Sequence, residues 1–459
     1  MRIISTVASL FLLLTCVVGE AASAGLVRWH PATATLDASL NQAPLSKVLS
    51  DIGAMTGWDV MVEPGMRAVV STRFNGLTIN QALRRILGGL NFAVLQGERE
   101  GTKKLYIYQR SIGAATQSLL AGASEVHPKS RRIENEIIVT LDPDSPETIE
   151  EIAARLGAEV VGKIDGMNAY RLRFKDAAEA EAARTTLASS DYLDVSDNFE
   201  VDLPSRLASL NFGSSAPPRV RVNPDPDQEH VVVGLIDTSV QAEGVSASEF
   251  LLPTLSVAGE ANPPLNEPTH GTTMAETLLR GLEMVDDGGV GSNVRILPVD
   301  VYGSEEITST FQVAAGVLAA VDAGASIINL SLGGQETTPF LQNLISDAHQ
   351  QGVIFVGAAG NEPGTHNIFP AAYPEVVAVT SADRSGSVAY YANNGNFVDV
   401  MVPGHSYVNF NGETYLINGT SASAAYVSGI TAGVAASTGL PLNQVEAQIR
   451  QTLPKPPEN

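Results

Sequence analysis

A single cysteine, two tryptophans and a shortage of basic residues late in the chain set the first limits on what these 459 residues can do. With Cys16 as the only cysteine, there is no disulfide framework and no thiolate cluster for zinc or iron–sulfur chemistry. From Asp225 to the C-terminus five Lys and Arg stand against 25 Asp and Glu, so that this region carries −20 of the chain's formal −22. Such a field repels phosphate backbones, argues against a nucleic-acid partner and attracts basic substrates, although solubility alone also accounts for it. Long apolar runs are scarce too. The run from Val7 to Val18 falls short of the roughly 20 residues a membrane span needs, and no later stretch replaces it.

What is present begins with a targeting pattern. Arg2, the apolar run and the small-x-small triplet Ala22-Ser23-Ala24 read as a signal peptide over residues 1–24, which predicts export to the periplasm or beyond and a mature chain with no transmembrane segment. Cys16 would leave with it. Leu14-Thr15-Cys16 is a poor lipidation signal, because Thr15 is larger than the residue expected there.

Residues 35–110 predict a small α+β domain. Leu45, Val48, Leu49 and Ile52 share one helical face ending at Gly57, Trp58 to Val62 follows as a strand, Ile79, Leu83, Ile86 and Leu87 mark a second helix, and Leu105 to Tyr108 another strand. The phrase Ala43-Pro44-Leu45-Ser46-Lys47-Val48-Leu49 and the helix Thr78 to Leu87 resemble the short N-terminal domain of secretins and TonB-dependent receptors. That resemblance implies an interaction module, with a cell-envelope protein as its partner; a structural spacer is the alternative. Residues 111–132, rich in Ala, Gly and Ser, read as a linker.

Residues 133–202 predict a βαββαβ order, from the alternating Glu136 to Leu141 to the final strand Tyr192 to Val201. The order and its position resemble the propeptide of subtilisin-like proteases, which implies an intramolecular chaperone and inhibitor whose C-terminal end lies in a catalytic cleft. Residues 203–230 hold Pro204, Pro217, Pro218, Pro224 and Pro226 and read as an exposed connector of the kind proteases cut. Over residues 231–452 short Val/Ile/Leu runs at Val231 to Ile236, Val294 to Val299, Ser326 to Leu332, Val353 to Ala358 and Val376 to Val379 alternate with helical segments. This pattern predicts an α/β domain of three layers around a mostly parallel sheet.

Sites in such sheets form at the carboxyl ends of strands. Asp237 ends the first run, His270 opens a helix within Thr269-His270-Gly271-Thr272, Asn361 ends the loop Gly357-Ala358-Ala359-Gly360-Asn361, and Ser421 follows a Gly-Thr turn before a run of small residues. Together they supply an orienting carboxylate, a general base, an amide donor and a nucleophile. In this order, and with the phrases Ile328-Asn329-Leu330-Ser331-Leu332-Gly333-Gly334 and Asp399-Val400-Met401-Val402-Pro403-Gly404, residues from about Val231 to Gly433 resemble the catalytic domain of the subtilisin-like serine proteases. The resemblance implies an exported serine endopeptidase made as a zymogen, with Asp237, His270 and Ser421 as its triad and Asn361 as oxyanion donor. It further implies Ser331, Leu332, Gly333, Ala358, Ala359 and Gly360 as backbone flanking the substrate side chain, protein or peptide substrates, and the chain's own propeptide as a partner.

No cofactor is required for that chemistry. Structural calcium is common in the family, but Asp286-Asp287 and Glu305-Glu306 lack a defensible ligand spacing. The other six histidines read as structural. Ser239, Glu276, Ala425 and Tyr426 depart from the family's pattern, and Glu276 is expected to bring a carboxylate near the cleft. An envelope-associated scaffold with an inactive protease-like domain is the alternative function.

Overall fold

The computed structural model describes residues 25–31, 33–62, 69–87, 90–96, 103–108, 117–118, 131–202, 210–211, 216–225, 229–285, 291–362, 364–383, 386–389 and 391–457. The signal-peptide reading, Cys16, Asp286-Asp287 and most of the 111–132 linker lie outside them. The chain divides into two units, Met1–Glu125 and Val126–Asn459.

In the first unit, antiparallel strands Gly25–His30, Thr35–Pro44 and Val69–Thr78 form one sheet. A second holds Asn91–Gln96, Lys103–Tyr108, Asp59–Val62 and Gln117–Ser118 in that order. Helices Leu45–Thr56 and Ile79–Leu87 bury the faces their apolar spacing marks, Leu45, Val48, Leu49 and Ile52 on one and Leu83, Ile86 and Leu87 on the other. Gln117–Ser118, within the expected linker, instead pairs with Met61 and Val62.

The second unit opens with the βαββαβ module. Its strands lie in the order Leu193–Asp202, Arg132–Leu141, Ala169–Arg173, Glu159–Ile164, all antiparallel, with helices Ile149–Leu156 and Ala177–Leu187. The first helix is started by a capping box, Thr148 and Glu151 each accepting from the other's backbone N–H. The sheet does not end with this module: Glu200, Val201 and Asp202 pair antiparallel with Ser309, Thr308 and Ile307 of the strand Ile307–Ser309 in the following domain.

That domain is built on seven parallel strands in the order Leu255–Ser256, Val294–Asp300, Val231–Asp237, Ile327–Leu330, Ile354–Ala358, Val376–Ala382, Val400–Pro403. The runs are continuously apolar because both faces are covered. Val233, Leu235, Ile296 and Val356 pack under helices His270–Glu283, Thr420–Thr438 and Leu442–Thr452. Ile236, Leu297, Ile328 and Phe355 pack with helices Thr310–Asp322 and Pro339–Gln350, in a core that also takes in Ile138, Ile164, Ala169 and Val201 of the preceding module.

Small residues let the central helices touch. A Cβ on Gly429 would stand 1.9 Å from the Leu278 carbonyl oxygen, and one on Gly281 2.1 Å from that of Tyr426. This close approach is what the small-residue run after Ser421 makes possible.

The stretch read as an exposed connector is in part built into this domain. Val220 is 5 % exposed and joins its core, and Val222 bridges Ser292 in parallel. An apolar side chain that finds a core site overrides the punctuation of the surrounding prolines. Leu210–Asn211 adds a third strand to the hairpin His405–Phe410 and Glu413–Asn418, which runs directly into the Ser421 helix. Among the described residues, no helix is long and apolar enough to cross a membrane.

Candidate active site

Asp237 is the last residue of the strand Val231–Asp237 and is 1 % exposed. Its carboxylate accepts the Thr238 N–H at 2.7 Å and faces His270 Nδ1 with both oxygens, at 2.8 and 2.9 Å. Between two carboxylate oxygens Nδ1 must carry the proton, which leaves Nε2 as the basic lone pair.

The backbone around His270 is clamped as firmly as its ring. Thr269 caps the helix, its hydroxyl accepting the Thr272 N–H and donating to the Ser239 carbonyl at 2.6 Å. Gly271 N–H donates to Thr238 Oγ1 at 2.8 Å, and Gln241 Oε1 accepts from Thr269 N–H at 2.7 Å. Gly271 has no alternative, since a Cβ there would stand 2.2 Å from the Thr238 carbonyl oxygen. Loop and helix thus fix the imidazole through bonds that span about thirty residues of sequence.

Ser421 is the second residue of the helix Thr420–Thr438 and is 4 % exposed. The turn that delivers it needs Gly419, at φ 146°. Its hydroxyl donates to the Ser331 carbonyl at 3.1 Å, while Ser331 Oγ donates to the Ser421 carbonyl at 3.1 Å. Behind them, Asn329 Nδ2 donates to Ser331 Oγ at 2.8 Å and Ser428 Oγ to Asn329 Oδ1 at 3.0 Å, a buried polar chain that joins strand, loop and helix.

Asn361 is oriented by the residue before the serine. Thr420 donates to its Oδ1 from both the backbone N–H, at 2.8 Å, and Oγ1, at 3.0 Å. An N–H can only donate, so the amide's oxygen faces Thr420 and its Nδ2 donors face away. Thr420 Oγ1 also accepts the Gly360 N–H at 3.0 Å.

A cavity of about 440 Å³ opens beside these groups. Ser421, Asn361, Leu332, Gly333, Ala358 and Gly360 line it, together with Phe199, Glu200 and Val201 from the end of the βαββαβ module. Ser331 and Ala359, expected with them, are fully buried and lie behind the wall.

Glu276 does not approach this cleft. It is 0 % exposed, and its carboxylate accepts from Ser246 Oγ at 2.6 Å and the Ala247 N–H at 2.7 Å. Six residues after His270, at 100° per residue, it leaves the helix on another face. Burial raises its pKa, against the opposing hydrogen bonds of Ser246 and Ala247. Ala425 is fully buried, and Tyr426 packs its backbone against Gly281.

A second carboxylate lies beside the first. Asp300 pairs in register with Asp237 on the neighbouring strand and is 1 % exposed. Its Oδ1 accepts the Tyr302 and Gly303 N–H groups, both at 2.9 Å, whereas Oδ2 is buried with no hydrogen-bond partner among the described residues. Burial pushes its pKa up, with a smaller contribution from the Asp237 charge. Among the described residues, no group of three or more His, Cys, Asp or Glu side chains is placed to hold a metal ion.

The supports that sequence reading passes over are Thr238, Gln241, Thr420, Asn329 and Ser428. Of these, only Thr420 carried a local signal, a hydroxyl residue between a glycine turn and a serine at a helix start.

The subtilase family model matches residues 228–455, and that of the fervidolysin N-terminal prodomain matches residues 121–193. Thermitase of Thermoactinomyces vulgaris is 30% identical over 227 residues, which cover 49% of this chain and 81% of thermitase. A thermophilic serine proteinase of Bacillus sp. strain AK1 is 30% identical over 226 residues, 49% of this chain but only 56% of that protein. Among solved structures, a Staphylococcus aureus epidermin leader-peptide-processing serine protease superposes with a TM-score of 0.53 at 16% identity, covering 69% of this chain and 93% of that one. At that identity the likeness concerns the fold.

Proposed function

Because the chain belongs to the subtilase family, the subtilisin-like serine protease hydrolases, we propose that it is an exported endopeptidase that hydrolyses peptide bonds through Asp237, His270 and Ser421. The observation that carries this reading is the Asp237–His270 pair at 2.8 and 2.9 Å, at the same sheet edge as a serine that lines the cleft with Asn361.

The Ser421 hydroxyl turns from the Ser331 carbonyl to His270 Nε2 when substrate binds, and His270 takes its proton as Oγ attacks the scissile carbonyl. Asp237 holds the tautomer and stabilises the imidazolium. Asn361 Nδ2 and the Ser421 N–H, near the positive end of the helix Thr420–Thr438, bind the oxyanion. His270 then protonates the leaving amine, the C–N bond breaks, and water repeats the attack on the acyl-enzyme. Residues Ser331 to Gly333 and Ala358 to Gly360 flank the peptide, the first by strand addition.

The prodomain-like module and its place on the catalytic domain favour a zymogen. Its last strand joins Ile307–Ser309 and lines the cleft, so substrate and prodomain compete for the same space. Cleavage within residues 203–230 separates the two, and the part before Leu210 is favoured because Leu210–Asn211, Val220 and Val222 are all tied to the catalytic domain. The N-terminal unit docks a cell-envelope partner on this reading, supported by the resemblance of Ala43 to Leu49 and Thr78 to Leu87 to the short domain of secretins and TonB-dependent receptors.

The test compares purified chain with its Ser421→Ala form, using a fluorophosphonate probe and an unfolded protein substrate. Labelling and cutting by the wild type alone supports the reading. A folded wild type that does neither, even after limited proteolysis within residues 203–230, points to the scaffold function instead.

A further inference from the structure

We propose that Ile368 fills the floor of the site for the side chain preceding the scissile bond, the P1 side chain, and confines cleavage to bonds that follow alanine, glycine or serine. The proposal rests on the protease reading above.

The two walls of that site are backbone, and each presents a glycine to the cavity, Gly333 and Gly360. What stands in front of both is one side chain. A Cβ on Gly333 would lie 2.7 Å from Ile368 Cγ2, and a Cβ on Gly360 3.0 Å from Ile368 Cγ1 and 3.6 Å from its Cδ1. The two branches of a single isoleucine therefore bear on opposite walls. Ile368 also lines the cavity, so it is the surface that an entering side chain meets.

Ile368 is partly exposed, and its backbone is held by its neighbours. A β-branched residue keeps one favoured χ1 rotamer in a crowded setting. The next residue is locked to the first wall by a pair of hydrogen bonds, Phe369 N–H to the Gly334 carbonyl at 2.7 Å and Gly334 N–H to the Phe369 carbonyl at 2.9 Å. The Ile368 carbonyl accepts the Ala372 N–H at 2.7 Å, and the Phe369 ring packs on Tyr373 with centroids 4.9 Å apart. The walls cannot retreat either: Gly360 sits at φ +102° and its N–H is held by Thr420. On the proposal, a methyl or hydroxymethyl group is accepted above this floor, whereas a phenyl or isobutyl group between the two glycine walls has to displace the Ile368 side chain.

Steric rejection of this kind is worth roughly 10–200-fold for each methylene-sized mismatch. The experiment incubates the full-length protein with a peptide library and with peptide substrates differing only at P1, and reads the cut sites by mass spectrometry. The expected result is at least a tenfold preference in kcat/KM for Ala over Phe or Leu. Ile368→Gly is expected to move that ratio at least tenfold toward Phe, and Ile368→Val, which removes one methylene and keeps the branching, to move it severalfold toward Leu. If Ile368→Gly does not fold, the Ile368→Val ratio decides. Wild-type protein that labels with fluorophosphonate yet cuts after Phe or Leu as readily as after Ala overturns this inference alone, as does a ratio unmoved by either variant. Folded protein that neither labels nor cuts, even after limited proteolysis within residues 203–230, overturns the protease reading and this inference together.

Discussion

His270 Nδ1 lies almost equidistant from the two carboxylate oxygens of Asp237, 2.8 and 2.9 Å away. The ring is therefore oriented by a symmetric acceptor that cannot supply a proton to it. Asp237→Asn replaces one acceptor by a donor and favours the wrong tautomer. We expect kcat to fall about 10⁴-fold, with the fold intact by circular dichroism; activity within tenfold of wild type would remove Asp237 from the mechanism.

Asn361 is fixed by two donors from Thr420, so its own amide hydrogens are preset before substrate arrives. Asn361→Ala is predicted to lower kcat about 10²–10³-fold while KM changes little, because the bond strengthens only as the oxyanion forms. A mutant that raises KM and spares kcat assigns Asn361 to ground-state binding instead.

Asp300 has one satisfied and one orphaned oxygen, and burial raises its pKa. A carboxyl with a raised folded-state pKa binds its proton more tightly in the folded chain. Stability is therefore highest below the unfolded value of about 4 and is lost as pH rises through the interval up to the folded value. Asp300→Asn retains the acceptor for Tyr302 and Gly303 and removes the charge. Thermal unfolding should show the variant gaining on wild type at pH 7 relative to pH 4; an equal difference at both pH values defeats the argument.

Asn198 ties the prodomain to the catalytic domain. Its Oδ1 accepts the Phe311 N–H at 3.2 Å, one of the free donors at the start of the helix Thr310–Asp322, and its Nδ2 donates to buried Glu136 at 2.8 Å. Asn198→Ala should weaken docking by about 1–2 kcal/mol, the range for a lost cap. The observable is a shorter lag before activity appears in the full chain. An unchanged lag shows that the sheet pairing at Glu200 to Asp202 holds the prodomain without it.

The central sheet was legible because both its faces are buried. Val231 to Ile236 is apolar without interruption, and the strand extends only one residue further, to Asp237. Asp237 stood out for a related reason, as a carboxylate directly after such a run, and it meets His270 Nδ1 with both oxygens. The hairpin at His405–Phe410 and Glu413–Asn418 also carried a signal, Asn411-Gly412, whose φ values of 51° and 81° suit a tight two-residue turn. Glu276 was misplaced because a phrase locates a residue along a helix but not around it. Val220 and Ile368 were out of reach, since what each touches is decided by segments far away in sequence.

Among the described residues, the strand Ile307–Ser309 pairs only with the last strand of the prodomain-like module. Were that module to leave, this short segment would keep unpaired backbone N–H and C=O groups beside the 44 % exposed Ile307, groups a second molecule could pair with. The charge of −20 from Asp225 onward then acquires a colloidal purpose. Like-charged copies would repel before such segments could meet, and light scattering of the processed chain is expected to show it dispersed at neutral pH and associating as the pH falls toward the carboxylate range.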